Sequence, residues 1–296
     1  MEIVNRTEVA HRLHAMIRVA LSLAIIAFGM VKVIPTQFIT FTLPGEMLVP
    51  LGESSPSGML WKFMATSTPY TVITGVVEVL GGLLLIFRRT VLLGALVCLV
   101  ALVQVSILNL AYGVPVLVTP LLMLAMALAV SMPWWPRLID VLFRNRDSAA
   151  LPEPSSHGRR IRMVGTAVHA TAAVLVIAFM GGNGIRTYYD YTERLSALDG
   201  VWAVDEFHGT GPRWVRLAIE DRPAAKRLVL ARDTAESATL ELTVDTTEQV
   251  LRAGNWTLRY AHPSDTVLRI TGEFDGAPVD ATLHRIPLRT ESREFR

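Results

Sequence analysis

The apolar residues of this 296-residue chain are crowded into its first 182 positions, and that crowding limits what the chain can fold into. Five runs there approach the roughly 20 residues that a helix needs to cross a hydrocarbon core about 30 Å thick. They lie near Val19 to Ile34, Tyr70 to Phe87, Val91 to Ala111, Val114 to Met132 and Met163 to Met180. After Gly182 charges recur every few residues and no long apolar run returns. With 51% hydrophobic residues and a mean hydropathy of +0.41, the whole is too apolar for an ordinary soluble domain. The expectation is an all-α transmembrane bundle of four helices plus a fifth span, followed by a water-soluble domain.

Charge follows the same division. Up to residue 182 there are 13 Lys plus Arg against 8 Asp plus Glu, and from 183 onward 15 against 18. The net +2 thus averages a basic half and an acidic half, and it gives no ground for nucleic-acid binding. Arg6, Arg12 and Arg18 precede the first run, Arg88 and Arg89 part the second from the third, and six arginines lie between Arg137 and Arg162. The segment from Pro35 to Pro69 has only Lys62. Positive-inside logic then places the N-terminus in the cytoplasm and, after five crossings, the C-terminal domain outside. The domains expected are a membrane bundle over 1–143, a cytoplasmic linker over 144–162, a fifth helix over 163–182 and an extracytoplasmic β domain over 183–296. The partner implied throughout is a lipid bilayer. The single Cys98 lies in the third run, so no disulfide and no Cys-x-x-Cys pair is expected. The first run has no small-residue cleavage pattern after it and reads as an uncleaved helix.

Within the bundle, polar and small residues fall on one face of each helix. Arg18, Ser22, Ile25, Gly29 and Lys32 form one stripe, and Thr71, Gly75, Glu78 and Gly82 another. Gly29, Gly75, Gly81 and Gly82 are therefore expected at helix contacts, where small residues let backbones approach. Glu78, in the run TGVVEVLGGLLLIF, needs a partner away from lipid. By helical rise it lies about 13 Å from Phe87, while Lys32 lies about 21 Å above Arg18 and Gln104 about 20 Å above Val91. Lys32 is the expected ion-pair partner, its stem covering the difference in depth, with Gln104 and Asn109 completing the hydrogen bonds. A pair that only fixes helix register is the plainer alternative to a functional one. His169 stands alone in its span, without the second histidine that a bis-histidine haem requires, and is expected to hydrogen-bond a neighbouring helix.

Several runs carry a family likeness. FGMVKVIPTQF (28–38), GESSPSGMLWKFM (52–64), the glutamate-containing run through RRTVLLGA (88–95) and LNLAYGVPV (108–116) resemble the DoxX family of small bacterial membrane proteins. More narrowly, they resemble its long members with an appended C-terminal domain. The resemblance covers Arg18 to Phe143 and implies a four-helix bundle in a bacterial plasma membrane. It also implies an accessory or anchoring subunit linked to a membrane oxidoreductase, some relatives being named with a thiosulfate:quinone oxidoreductase. No cofactor ligand is apparent, so a quinone between helices or partner oxidoreductase subunits would have to carry any redox chemistry, and whether the chain is itself an enzyme stays open. Gly113 and Leu117 stand where similar long proteins tend to have an acid and a lysine, which puts a charge relay there in doubt.

Beyond the fifth run, seven segments between Gly200 and Ile286 alternate polar and apolar residues, with turns at Gly254-Asn255 and Asp275-Gly276. This is the rhythm of an antiparallel meander closing into a barrel or a compact sandwich. Its opening, LDGVWAVDEF, resembles the Gly-x-Trp start of lipocalin-like barrels: Gly200 and Trp202, with Arg285 or Arg289 as the basic residue laid against the tryptophan. Trp202 as an ordinary core residue is the competing reading. His208, placed in a turn, and His262 and His284, isolated, have no metal-ligand spacing, so no metal is expected. Two further functions remain in play. One is a membrane-anchored barrel that binds an apolar small molecule, and the other is a small proton-coupled transporter centred on Glu78 and Lys32.

Overall fold

The computed structural model describes residues 2–147, 159–210, 212–234 and 237–288, and resolves into two compact units. The first comprises residues 1–35 and 70–184, and the second comprises 36–69 and 185–296.

The first unit is helical. Its elements are α1 (Glu2–Val33), most of α3 (Thr68–Leu84), α4 (Val91–Ala111), α5 (Val118–Ser131), α6 (Trp135–Leu142) and the greater part of α7 (Arg159–Thr192). The short α2 (Pro56–Thr66), which precedes α3 in the chain, belongs to the second unit. Four stretches are long and apolar enough to cross a membrane: Val9–Val33, Val91–Ala111, Val118–Leu142 and Arg162–Thr192. The count rises to five if α2 and α3 are taken as one broken span, because α3 alone has only 17 residues. The expected boundary at residue 182 falls inside α7, which continues to Thr192. Gly181, Gly182 and Gly184 do not end it, since a glycine in a helix costs only about 1 kcal/mol. Arg144 to Asp147 are described and lack helix, while most of the expected linker lies outside the described residues.

Glycines set how closely these helices pack. A Cβ on Gly75 would sit 2.7 Å from the Gly29 carbonyl oxygen and 2.8 Å from the Val33 nitrogen. One on Gly82 would sit 2.6 Å from Ile26, and one on Gly81 3.0 Å from Cys98 Sγ. Gly94 meets Gly81 and Leu85 in the same way. Gly29, Gly75 and Gly82 thus bring α1 against α3, while Gly81 and Gly94 bring α3 against α4. Ser22 Oγ donates to the Gly82 carbonyl at 2.8 Å and fixes the first crossing.

The second unit is built on an eight-stranded antiparallel barrel closed in simple chain order. Its strands are β1 (Gly200–Gly209), β2 (Trp214–Arg222), β3 (Ala225–Arg232), β4 (Ser237–Asp245), β5 (Val250–Ala253), β6 (Trp256–Ser264), β7 (Val267–Phe274) and β8 (Ala277–Arg285). Closure comes from β1 pairing β8, Trp202 opposite Arg285, with a bulge between Val204 and Glu206. The bulge interrupts the alternation of the first segment at Asp205, and β1 continues through His208, which pairs with Asp280 instead of lying in a turn. Asp275 (φ 53°) and Gly276 (φ 74°) make the tight turn between β7 and β8, where two left-handed residues match the twist of a two-residue hairpin. Alternate side chains point inward, and Leu217, Ile219, Leu230, Leu251, Leu268 and Leu283 have no surface that a water molecule could touch from any side. The barrel interior at their level is therefore filled.

The segment 36–69 belongs to this unit too. After short 3-10 turns at Ile39–Thr42, Pro44–Leu48 and Leu51–Glu53 it forms α2, capped by Ser55 Oγ accepting from the Gly58 N–H at 3.1 Å. Pro56 at the first helical position fits there because it lacks a donor that the helix would leave unpaired.

Candidate functional site

In the helical unit, Lys32 Nζ donates to Glu78 Oε1 in a buried ion pair, the two residues being 6% and 4% exposed. The close crossing of α1 and α3 makes this contact: Lys32 Cβ presses on Gly75, one helical turn before Glu78. Glu78 Oε2 has no hydrogen-bond partner among the described residues. The two amides expected to serve it stand elsewhere. Gln104 is exposed, and Asn109 Nδ2 donates to the Val116 carbonyl at 3.0 Å, closing the turn after α4. Depth is not the reason, since Gly81 against Cys98 and Gly94 against Leu85 put Gln104 near the level of Glu78. The buried stripe of α4 runs through Gly94, Ala95, Cys98, Leu102 and Ser106, and Gln104 is about 200° round the helix from Leu102. Gln104 thus has the depth of Glu78 and the opposite face of its helix.

His169, 2% exposed, has neither ring nitrogen hydrogen-bonded among the described residues, against the expected bond to a neighbouring helix. Arg18 Nε is likewise buried and without a partner.

In the barrel unit, the Arg285 guanidinium lies 4.6 Å from the centre of the fully buried Trp202 ring. It donates to the Asp199 carbonyl at 3.0 Å, the Asp265 carbonyl at 3.2 Å and the Ala197 carbonyl. Gly200, at φ 149°, leaves room for it: a Cβ there would be 2.9 Å from Arg285 Nη1. Trp202 Nε1 donates to the Leu198 carbonyl at 2.8 Å. These three residues close the end of the barrel at which β1 begins. Arg289 lies outside the described residues.

Beside this closure is a network that the sequence reading missed. The fully buried Asp199 accepts two bonds from Arg222, each 2.9 Å, and one from the Asp221 N–H at 3.1 Å. Arg194 approaches it to 3.2 Å, and Arg222 also donates to the Tyr191 carbonyl at 2.7 Å, in the last turn of α7. The LDG preceding Trp202 was the only hint of Asp199. Glu220 was missed as well. Completely buried, it accepts from the Gly45 N–H at 2.8 Å and from Arg227 at 2.8 Å, joining the 36–69 segment to β2 and β3.

At the opposite end of the barrel, the rings of Phe207, Trp214, Phe274 and Trp256 follow one another in contact, with successive centroids 5.8, 5.2 and 4.4 Å apart. Arg232 reaches over Phe274 and pairs with Asp275 at 2.9 Å. The histidines are less isolated than their spacing implied: His284 Nδ1 is 2.7 Å from Asp205 Oδ1, and the His262 ring stands edge-on to Trp202. Among the described residues no three His, Cys, Asp or Glu side chains converge as a metal site. On the surface, Arg269 holds the Asp280 carboxyl below the usual aspartate range by hydrogen bonding. Backbone N–H groups of Glu248 and Thr247 do the same for Asp245.

Comparison with known proteins finds no matching family model, no matching curated protein and no matching solved structure.

Proposed function

We propose that this chain is an integral membrane protein of the bacterial plasma membrane in which a DoxX-like bundle anchors and displays a lipocalin-like barrel. In this reading it is an accessory subunit of a membrane complex. The observation that carries the proposal is the filled barrel. Apolar side chains occupy its interior, Arg285 and Trp202 shut one end and four aromatic rings shut the other. Such a barrel offers partners its outer surface and has little room for a small apolar ligand. Gly200, Trp202 and Arg285 support the lipocalin-like reading through their positions at the start of β1 and the end of β8.

Orientation is part of the proposal. The arginines favour a cytoplasmic N-terminus. The 36–69 segment packs on the barrel through Gly45 and Glu220, so the two share one side of the membrane. Five crossings satisfy that requirement. The link to a quinone or oxidoreductase comes from the resemblance alone.

Cross-linking in native membranes, followed by purification and identification of partner proteins, tests the proposal. A reproducible membrane-enzyme partner retained through the barrel supports it. An apolar small molecule extracted at one per chain, with no protein partner, refutes it.

A second reading, a proton-coupled carrier, is favoured by one observation: the buried Glu78 has an oxygen without a partner among the described residues, beside its bond to Lys32. A pH-driven flux in proteoliposomes that Glu78→Gln abolishes while the protein stays folded would select it.

A further inference from the structure

The contacts between helices place three basic side chains of the first unit at one level. Helices α1 and α7 run parallel: Gly184 faces Ile34 at 3.1 Å and Gly181 faces Met30 at 3.8 Å from their ideal Cβ positions. Continued down both helices, this offset brings His169 beside Arg18 and Val19. Helices α1 and α3 run antiparallel, Gly75 against Lys32 and Gly82 against Ile25, and the same continuation brings the turn after α3, with Arg88, to Arg18. Arg18 thus lies within charge-interaction range of both His169 and Arg88. Arg18 Nε and both nitrogens of His169 are buried without a partner among the described residues. A neutral imidazole always has one N–H to donate, and a buried donor left unsatisfied costs about 1–3 kcal/mol. Two guanidinium groups and this imidazole together form a donor set for an anion, with arginine suited to bidentate recognition of phosphate.

We propose that Arg18, Arg88 and His169 bind the phosphate of an anionic phospholipid headgroup. This inference depends only on the helices spanning a membrane, and it holds whether or not the barrel serves a partner complex. Depth favours a lipid over free phosphate, because the uncharged stretch of α1 that runs to Val31 begins at Val19, directly after Arg18. Alongside, α7 exposes Val168, Val174, Leu175 and Phe179, a surface on which acyl chains can lie. Basic groups between helices at the cytoplasmic face recognise acidic headgroups by this chemistry.

The test uses the full chain in detergent, confirmed monodisperse, and follows unfolding temperature on titration with phosphatidylglycerol, phosphatidylcholine or inorganic phosphate. Native mass spectrometry counts retained lipids. Phosphatidylglycerol is expected to stabilise saturably with one lipid retained per chain, phosphatidylcholine far less, and inorganic phosphate at equal concentration not at all. Arg18→Gln and His169→Leu should each weaken apparent affinity about tenfold, the loss of one charge-assisted hydrogen bond. Arg146→Gln, an exposed change elsewhere, should leave it unaltered. If Arg18→Gln does not fold, His169→Leu and Arg88→Gln decide. Equal effects of the two lipids, or unchanged affinity in the folded variants, overturn the proposal. A response to inorganic phosphate equal to that of phosphatidylglycerol overturns the lipid as its source.

Discussion

Removing Lys32 strands a carboxylate, and the size of the penalty can be worked out. Glu78 is 4% exposed and Lys32 6%, so neither charge keeps its water. Attraction between unit charges about 3 Å apart at an effective dielectric constant of 20 is roughly 5 kcal/mol, most of it offset by desolvation. Lys32→Met keeps the Cβ that rests on Gly75 and fills similar volume, so its main effect is loss of the charge. Breaking one side of a buried pair typically costs about 3–5 kcal/mol, whereas replacing both sides with apolar groups is often neutral or stabilising. Lys32→Met and Glu78→Met should therefore each destabilise by about 3–5 kcal/mol, and the double variant should return to within about 1–2 kcal/mol of wild type. That non-additivity far exceeds the roughly 0.5 kcal/mol expected of independent sites. Unfolding in mixed micelles of dodecylmaltoside and increasing SDS, followed by circular dichroism, measures it. Single variants as stable as wild type, or a double variant equal to the sum of the singles, would refute the claim that Lys32 makes Glu78 tolerable.

Other changes have defined outcomes. Gly75→Ala puts a Cβ against backbone atoms of α1 and should cost about 1–3 kcal/mol in the same micelle assay, while Gly81→Ala, meeting mainly the Cys98 sulfur, should cost less. Trp202→Ala should cost about 3–5 kcal/mol and remove its own share of the near-ultraviolet circular dichroism, leaving that of Trp214 and Trp256 at the other end. Glu220→Ala leaves the Gly45 N–H unsatisfied, and limited proteolysis should then cut faster near Val49 and Leu51, both already exposed. Because Arg269 depresses the Asp280 pKa, that bond's stabilisation is present above the ordinary value of 3.8 and is lost as pH falls below it. Arg269→Gln should accordingly flatten the acid limb of a stability-versus-pH curve.

How far the sequence could be read depended on whether a feature was local. Apolar runs marked the helices, and alternation marked seven of the eight strands. The missing one, β5, has only Val250–Ala253, too short to show a rhythm. Lys32, Glu78 and the glycines were readable because helical periodicity gives both depth and face. Gln104 shares the depth of Glu78 but lies off the buried stripe of α4, so depth alone does not predict its contacts. Gly200, Trp202 and Arg285 were found through a three-residue likeness. Nothing local could reveal Glu220 or Asp199. Glu220 meets Gly45 across 175 positions, and in a strand it resembles any outward-facing acid. Asp199 meets Arg222 only after the chain has turned back through β1 and β2.

Ring closure of the barrel also bears on how the protein keeps company. An open sheet ends in a strand whose amides are free to recruit a neighbour, a hazard at the crowded density of a membrane surface. Here β1 and β8 satisfy each other, so among the described residues the barrel leaves no strand edge open as a docking rail. An associate of the barrel wall would therefore have to recognise its outward side chains instead of free strand amides.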